Sequence, residues 1–226
     1  SSGDLVITAD ARLDNRGELI AALQTCGLDL GKKTDSELIL AAYRHWGERC
    51  AEKLLGDFAF AIWDARQRIL FCARDHFGVK PFYYYWSPKK TFVFATEVKG
   101  LFACGDVPRE VNEVRVADHL AEIFEDNEST LYRNILRLPP AHTITVSGEH
   151  ARTRCYWALD RAREVRFKSN EEYAESFREL FTEAVNCRLR SAFPVGAMLS
   201  GGLDSSPGTV ETSVFELLKA GARPKS

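Results

Sequence analysis

No stretch of this 226-residue chain is apolar for long enough to cross a bilayer. The longest strongly apolar run, Phe58 to Trp63, falls far short of the ~20 residues that a spanning helix needs. No sign of charge dominates: 30 Lys and Arg stand against 32 Asp and Glu, a net charge of −2 with the signs interspersed. That balance excludes the basic footprint of a nucleic-acid binder and the polybasic tract of a membrane-surface protein. The six cysteines, Cys26, Cys50, Cys72, Cys104, Cys155 and Cys187, form no Cys-x-x-Cys pair and have no histidine at zinc spacing. No signal-peptide pattern is visible. A disulfide framework is therefore not expected, and the cysteines read as mostly buried thiols of a reducing cytoplasm.

What the chain does have is apolar mass, 45% hydrophobic residues, enough for one substantial core and part of a second. Leu5 to Thr8 reads as a first strand, and a helix from Arg16 to Gln24 ends near Gly27. Thr34-Asp35-Ser36-Glu37 has the form of a capping box. It opens a helix to Trp46 whose inward face is expected at Leu38, Ala41, Ala42 and His45. Two hairpins follow, Phe58–Trp63 with Arg68–Ala73 and Pro81–Trp86 with Thr91–Thr96. Their aromatics suit sheet packing rather than base stacking, since no basic groove accompanies them. A helix is expected over Glu113–Phe124, then strands over Leu131–Leu138, His142–Val146 and Thr153–Trp157. Asp160–Lys168 is charged and reads as a linker. A second capping box at Ser169–Glu172 starts a helix to Arg190, with Tyr173, Phe177, Leu180, Phe181, Ala184 and Cys187 as its buried stripe.

The most informative stretch lies near the C-terminal end. Val195 to Leu199 are small or apolar without polar alternation, as in a strand covered on both faces. Ser200-Gly201-Gly202-Leu203-Asp204-Ser205-Ser206 follows, then Pro207 at the first turn of a helix. The glycines allow close backbone approach, the serines add hydroxyl donors, and a helix start points free N–H groups at an anion. The combination reads as a phosphate cradle. No Gly-Lys-Ser/Thr follows it, so it is not a Walker A loop. One buried parallel strand lacks partners for its edges, so the chain reads as incomplete at its C-terminal end.

This loop resembles the Ser-Gly-Gly-x-Asp-Ser loop of the ATP pyrophosphatases. The longer chain resembles the glutamine-hydrolysing asparagine synthetase family. The motifs that carry the likeness, in order, are Leu54–Asp64, Arg74–Tyr84, Phe94–Leu101, Leu138–His142, Tyr156-Trp157 and Pro194–Ser206. The resemblance implies an α+β fold. Residues 1–160 would form an Ntn-hydrolase-like αββα glutamine amidotransferase domain, incomplete at its N-terminus. Residues 161–226 would begin a doubly wound α/β ATP-pyrophosphatase domain. It implies a cytoplasmic ligase that adenylates aspartate with ATP and Mg²⁺ and amidates it with ammonia from glutamine. Its partners would be small molecules, with a homodimer compatible with the family and with neither nucleic acid nor membrane.

Residue by residue, the resemblance implies that Met198, Ser200, Gly201, Gly202, Leu203, Asp204 and Ser205 contact ATP. Asp35 matches the aspartate that binds the glutamine ammonium group, and it has an alternative role as a helix N-terminal acid. Asp10, Ala11 and Arg12 fall on the family's Asn-Gly-Glu glutamine segment. Asp10 would oppose an oxyanion rather than donate to it, and Arg12 would repel the ammonium group. Ser1 is not cysteine and the opening segment that carries the family's nucleophile is expected to be missing, so no catalytic residue is assigned and the chain alone is expected to be inactive. Two other readings stay open: a related amide-forming ligase without glutaminase activity, of the β-lactam synthetase or lasso-peptide cyclase type, and a non-catalytic binding module.

Overall fold

The computed structural model describes residues 3–27, 33–88 and 90–196, and it divides into two units, Ser1–Leu159 and Asp160–Ser226. In the first unit, β1 (Leu5–Leu13) and β2 (Gly56–Asp64) pair antiparallel along their whole length, from Leu5 opposite Asp64 to Leu13 opposite Gly56. The strand expected over Leu5–Thr8 thus continues through Asp10, Ala11 and Arg12, because β2 offers a partner to every one of them. Along β2, Phe58 to Ile62 are all buried, which is why this run shows no polar alternation: both its faces are covered. β3 (Ile69–Arg74), β7 (His142–Ser147) and β8 (His150–Cys155) complete a five-stranded antiparallel sheet in the order β1-β2-β3-β7-β8. β4 (Tyr83–Ser87), β5 (Thr91–Ala95) and β6 (Ile135–Arg137) form a second sheet in the order β5-β4-β6.

Three apolar clusters set the layers of this unit. On one face of the large sheet, Leu13, Phe58, Phe60, Ile62 and Phe71 meet Leu19 and Leu23 of α1 (Arg16–Gln24) and Leu38, Ile39 and Ala42 of α2 (Asp35–Trp46). On its other face Ala59, Ala61, Cys72 and Ile144 pack against Phe82, which immediately precedes β4, and Tyr84 of the small sheet. The far side of the small sheet covers Leu101 of the short helix α3 (Val98–Leu101) together with Val107 and Ile135. The small alanines of β2 and the large aromatics of β4 are complementary in size, as close packing between two sheets demands.

The capping box of α2 is formed: the Glu37 N–H donates to Thr34 Oγ1 at 3.3 Å, and the Thr34 N–H donates to Glu37 Oε2 at 2.8 Å. Other expectations shift. The inward face of α2 is Leu38, Ile39, Ala42 and Tyr43, while His45 is exposed. The helix sits rotated so that the Tyr43 ring stacks on Phe71 at 5.4 Å. The helix expected to reach Phe124 is α4 (Glu113–Leu120). It ends where Glu122 turns to φ +57° and the Ile123 N–H donates back to Asp118 O at 2.8 Å, a left-handed termination built without glycine. The strand expected from Leu131 shortens to β6, because Asn134 at φ +62° breaks it. Of the six thiols only Cys50 and Cys72 are buried; Cys26 and Cys155 are exposed, so the cysteines are not mostly buried.

In the second unit, α5 (Asn170–Arg188) has Ser169 as its cap, with Ser169 Oγ accepting the Glu172 N–H at 3.3 Å. The capping box is displaced, because the Glu172 carboxylate takes the Lys168 N–H at 2.9 Å instead of that of Ser169. The expected buried stripe is not buried, with Tyr173, Phe177 and Leu180 all exposed. An apolar stripe is hidden only where another element covers it, and none of the described residues of this unit does so. Val195 and Gly196 lie in irregular backbone, and Ala197–Ser226 lie outside the described residues. That range contains the expected phosphate loop.

Candidate functional site

The segment that follows β3 is templated by two charged side chains. Arg74 donates through Nε to Lys80 O at 2.7 Å, through Nη2 to Gly78 O at 2.6 Å and through Nη1 to Leu138 O at 2.7 Å. Asp75, only 1% exposed, accepts the backbone N–H groups of Phe58, Phe77, Val79 and Lys80 at 2.9 to 3.3 Å. An ionised carboxylate can be buried when donors surround it in this way. Gly78 turns through φ +66°, and a Cβ there would lie 2.9 Å from both Arg74 and Pro140, so this position requires glycine. The Tyr156 hydroxyl, whose pKa burial pushes up, donates to Arg74 O at 2.8 Å and ties in the exit from β8.

This frame holds Lys80 at both its N–H and its C=O, and Lys80 Nζ reaches Asp10 Oδ1 at 2.7 Å. Asp10 lies opposite Ala59, on the side of the large sheet that faces the small sheet, while Ala11, opposite Phe58, packs its methyl with the helical cluster. Arg12 lies on the Asp10 side, 3.5 Å from Asp14. Asp35, at the start of α2, accepts the Leu13 N–H at 3.0 Å and pairs with Arg16, whose Nη2 also donates to Lys33 O at 2.6 Å. Asp10 and Arg12 thus lie on the small-sheet side of β1, and Asp35 reaches the end of that strand through the Leu13 N–H. Each of the three acids there, Asp10, Asp14 and Asp35, already faces a cation of the same chain.

Sequence reasoning assigned no role to Lys80, Arg74 or Asp75, although all three lie within the motif Arg74–Tyr84. An Arg-Asp pair closing a strand just before Gly-x-Lys-Pro is the signal that could have found them. Beside them the His76 ring packs edge-on against Tyr156 and Trp157, each at 5.2 Å, with Nδ1 buried and lacking a hydrogen-bond partner among the described residues. Burial lowers its pKa from 6.5, so the neutral imidazole is the favoured form. A separate cleft of about 810 Å³ between the sheet ends is lined by Trp63, Trp86, Phe92 and Arg68, and neither Asp10, Arg12 nor Asp35 lines it. No group of three or more His, Cys, Asp or Glu suited to a metal occurs among the described residues. No described helix is long and apolar enough to cross a membrane. The expected ATP contacts, Met198, Ser200, Gly201, Gly202, Leu203, Asp204 and Ser205, lie outside the described residues.

The sequence pattern of the glutamine amidotransferase domain matches residues 1–157 of this chain. The chain belongs to that family. A second pattern, that of asparagine synthase, matches residues 176–207. Among curated relatives of this chain, the putative glutamine-hydrolyzing asparagine synthetase 2 of Methanocaldococcus jannaschii is 33% identical over 207 residues, covering 90% of the chain and 39% of that protein. The glutamine-hydrolyzing asparagine synthetase 3 of Bacillus subtilis is 34% identical over 205 residues, covering 88% of the chain and 32% of that protein. The chain therefore spans about a third of the length of these relatives. A solved structure, the glutamine phosphoribosylpyrophosphate amidotransferase of B. subtilis complexed with ADP and GMP, matches with a TM-score of 0.48 at 14% identity. The match covers 98% of the chain and 45% of that structure. The resemblance drawn from the ordered motifs is borne out for the amidotransferase domain.

Proposed function

We propose that this chain is the amidotransferase part, with the opening of the synthetase part, of a glutamine-hydrolysing asparagine synthetase. The observation that carries the reading is the family match over residues 1–157 followed in the same chain by the asparagine synthase match over residues 176–207. On this reading, residues 1–160 form an Ntn-type domain and the sequence from residue 161 begins an ATP-pyrophosphatase domain. Ser200 to Ser205 hold the phosphates of ATP, with Asp204 facing Mg²⁺ and Met198 at the adenine end. A carboxylate has no usable leaving group. Adenylation of aspartate supplies one: pyrophosphate departs as the acyl-adenylate forms, and AMP departs when ammonia attacks. Asp10, Ala11, Arg12 and Asp35 mark the glutamine end, Ala11 through its backbone alone.

A second reading, that nitrogen comes from ammonia or from an amine within the substrate, draws on the ion pairs at the end of β1. An ammonium group is held by a carboxylate whose charge is available to it. Asp10, Asp14 and Asp35 are engaged by Lys80, Arg12 and Arg16. One experiment separates the readings. A protein that carries this chain at the length of its relatives is given ATP, Mg²⁺ and aspartate, with either glutamine or ammonium, and asparagine, glutamate and AMP are quantified. Asparagine from glutamine, with matching glutamate, supports the first reading. Asparagine from ammonium alone supports the second. The absence of both AMP and asparagine with either source removes aspartate as the acceptor.

A further inference from the structure

The helical layer carries a pair of reactive groups that the amidotransferase reading does not use. Cys26 stands just beyond the last turn of α1, and His45 stands in the last turn of α2; both are exposed, with Cys26 Sγ 3.2 Å from His45 Nε2. The thiol also reaches Ala22 O at 3.3 Å, so its proton has two acceptors within range, one of them a base. The geometry points to Cys26 as the selective thiol-modification site of this chain, with His45 as its general base and low-molecular-weight disulfides and soft alkylating agents as the class of reagent it takes.

The other thiols are poorer candidates for physical reasons. Cys50 and Cys72 are fully buried; burial pushes the Cys50 thiol up to about 12 and raises that of Cys72 as well, and the thiolate is the nucleophile. Cys104 and Cys187 are partly covered. Cys155 is exposed, but its Sγ donates to Trp157 O at 3.1 Å, an acceptor that cannot take the proton away. Cys26 alone among the described thiols combines exposure with an imidazole at bonding distance. The proton therefore passes to Nε2 as the sulfur attacks.

With a disulfide, a bond forms between Cys26 Sγ and one reagent sulfur as the reagent S–S bond breaks. The second reagent sulfur leaves as a thiolate, and His45 holds the proton. With iodoacetamide the C–S bond forms as the C–I bond breaks, and iodide leaves. Neither step requires a further oxidant.

The test is competitive labelling of the folded chain near neutral pH with limiting iodoacetamide, each cysteine being quantified by peptide mass spectrometry. Cys26 is expected to label on the order of tenfold faster than Cys155, the exposed reference, in keeping with assistance from a positioned base. His45→Asn is expected to bring it down to the Cys155 rate while the Cys155 rate and the circular dichroism spectrum stay unchanged. Treatment with oxidised glutathione is expected to place a mixed disulfide on Cys26 first. Equal labelling of Cys26 and Cys155 in the unaltered chain overturns the inference without any variant. A fast Cys26 that keeps its rate in His45→Asn overturns it too.

Discussion

Asp75 does more to place the candidate site than any residue that lines it. Its single carboxylate holds four backbone N–H groups, one from β2 and three from the segment that ends at Lys80. Asp75→Ala leaves those buried donors without an acceptor, which is expected to cost about 3 kcal/mol, the loss in Asp75→Asn being smaller because one acceptor oxygen remains. Urea unfolding of the two variants measures it. His76 adds a pH dependence. Burial lowers its pKa below 6.5, against a smaller opposing pull from Asp75, so the unfolded chain binds more protons there than the folded one. The stability from neutral His76 is fully present above about pH 6.5 and is lost as pH falls through the folded value. His76→Phe, which suits a ring already packed on Phe58, Tyr156 and Trp157, is expected to flatten the fall in unfolding free energy between about pH 7 and 5. An unchanged slope in a pH series of urea titrations counts against a buried neutral imidazole.

Among the elements, α2 shows most plainly how local signals and packing divide the work. Its start is written in Thr34-Asp35-Ser36-Glu37, and the box forms as those residues demand. Thr34→Ala removes the side-chain half of the box and is expected to cost about 1 kcal/mol, seen as a fall in Tm of about 3 °C. A fall much beyond that would place the cap within the packing of Asp35 against the end of β1. The rotation of α2, by contrast, was not legible in its sequence. Periodicity alone accommodates His45 or Tyr43 on the inward side, and the Phe71 ring decides for Tyr43. β1 makes the same point. Leu5 to Thr8 reads as a strand by itself, but Asp10 has poor strand propensity, and Asp10 and Arg12 are held extended by pairing with Ala59 and Asp57.

For the whole molecule, the unit Ser1–Leu159 contains all three apolar clusters, formed among its own residues. A chain ending at Leu159 is therefore expected to fold independently, with a cooperative thermal transition and the near-ultraviolet signal of packed aromatics. A non-cooperative transition, or loss of that signal, would mean that residues beyond 159 are needed to complete the core.

The sequence by itself determined the family, because ordered motifs such as Arg74-Asp75-His76-Phe77-Gly78 and Leu138-Pro139-Pro140-Ala141-His142 are local strings that need no coordinates to be read. It also determined the two hairpins, whose turns are encoded by neighbouring residues, and it marked Asp10, Arg12 and Asp35. What those charges face was decided only by the tertiary structure. Lys80 lies seventy positions from Asp10 in the chain, and the pair exists because Arg74 and Asp75 fold the intervening segment back beside β1. Cys26 and His45 likewise sit on separate helices and meet only because both helices pack on one face of the same sheet. Ion pairs and proton-transfer partners depend on distances across the fold, and such distances are set by packing rather than by position along the chain.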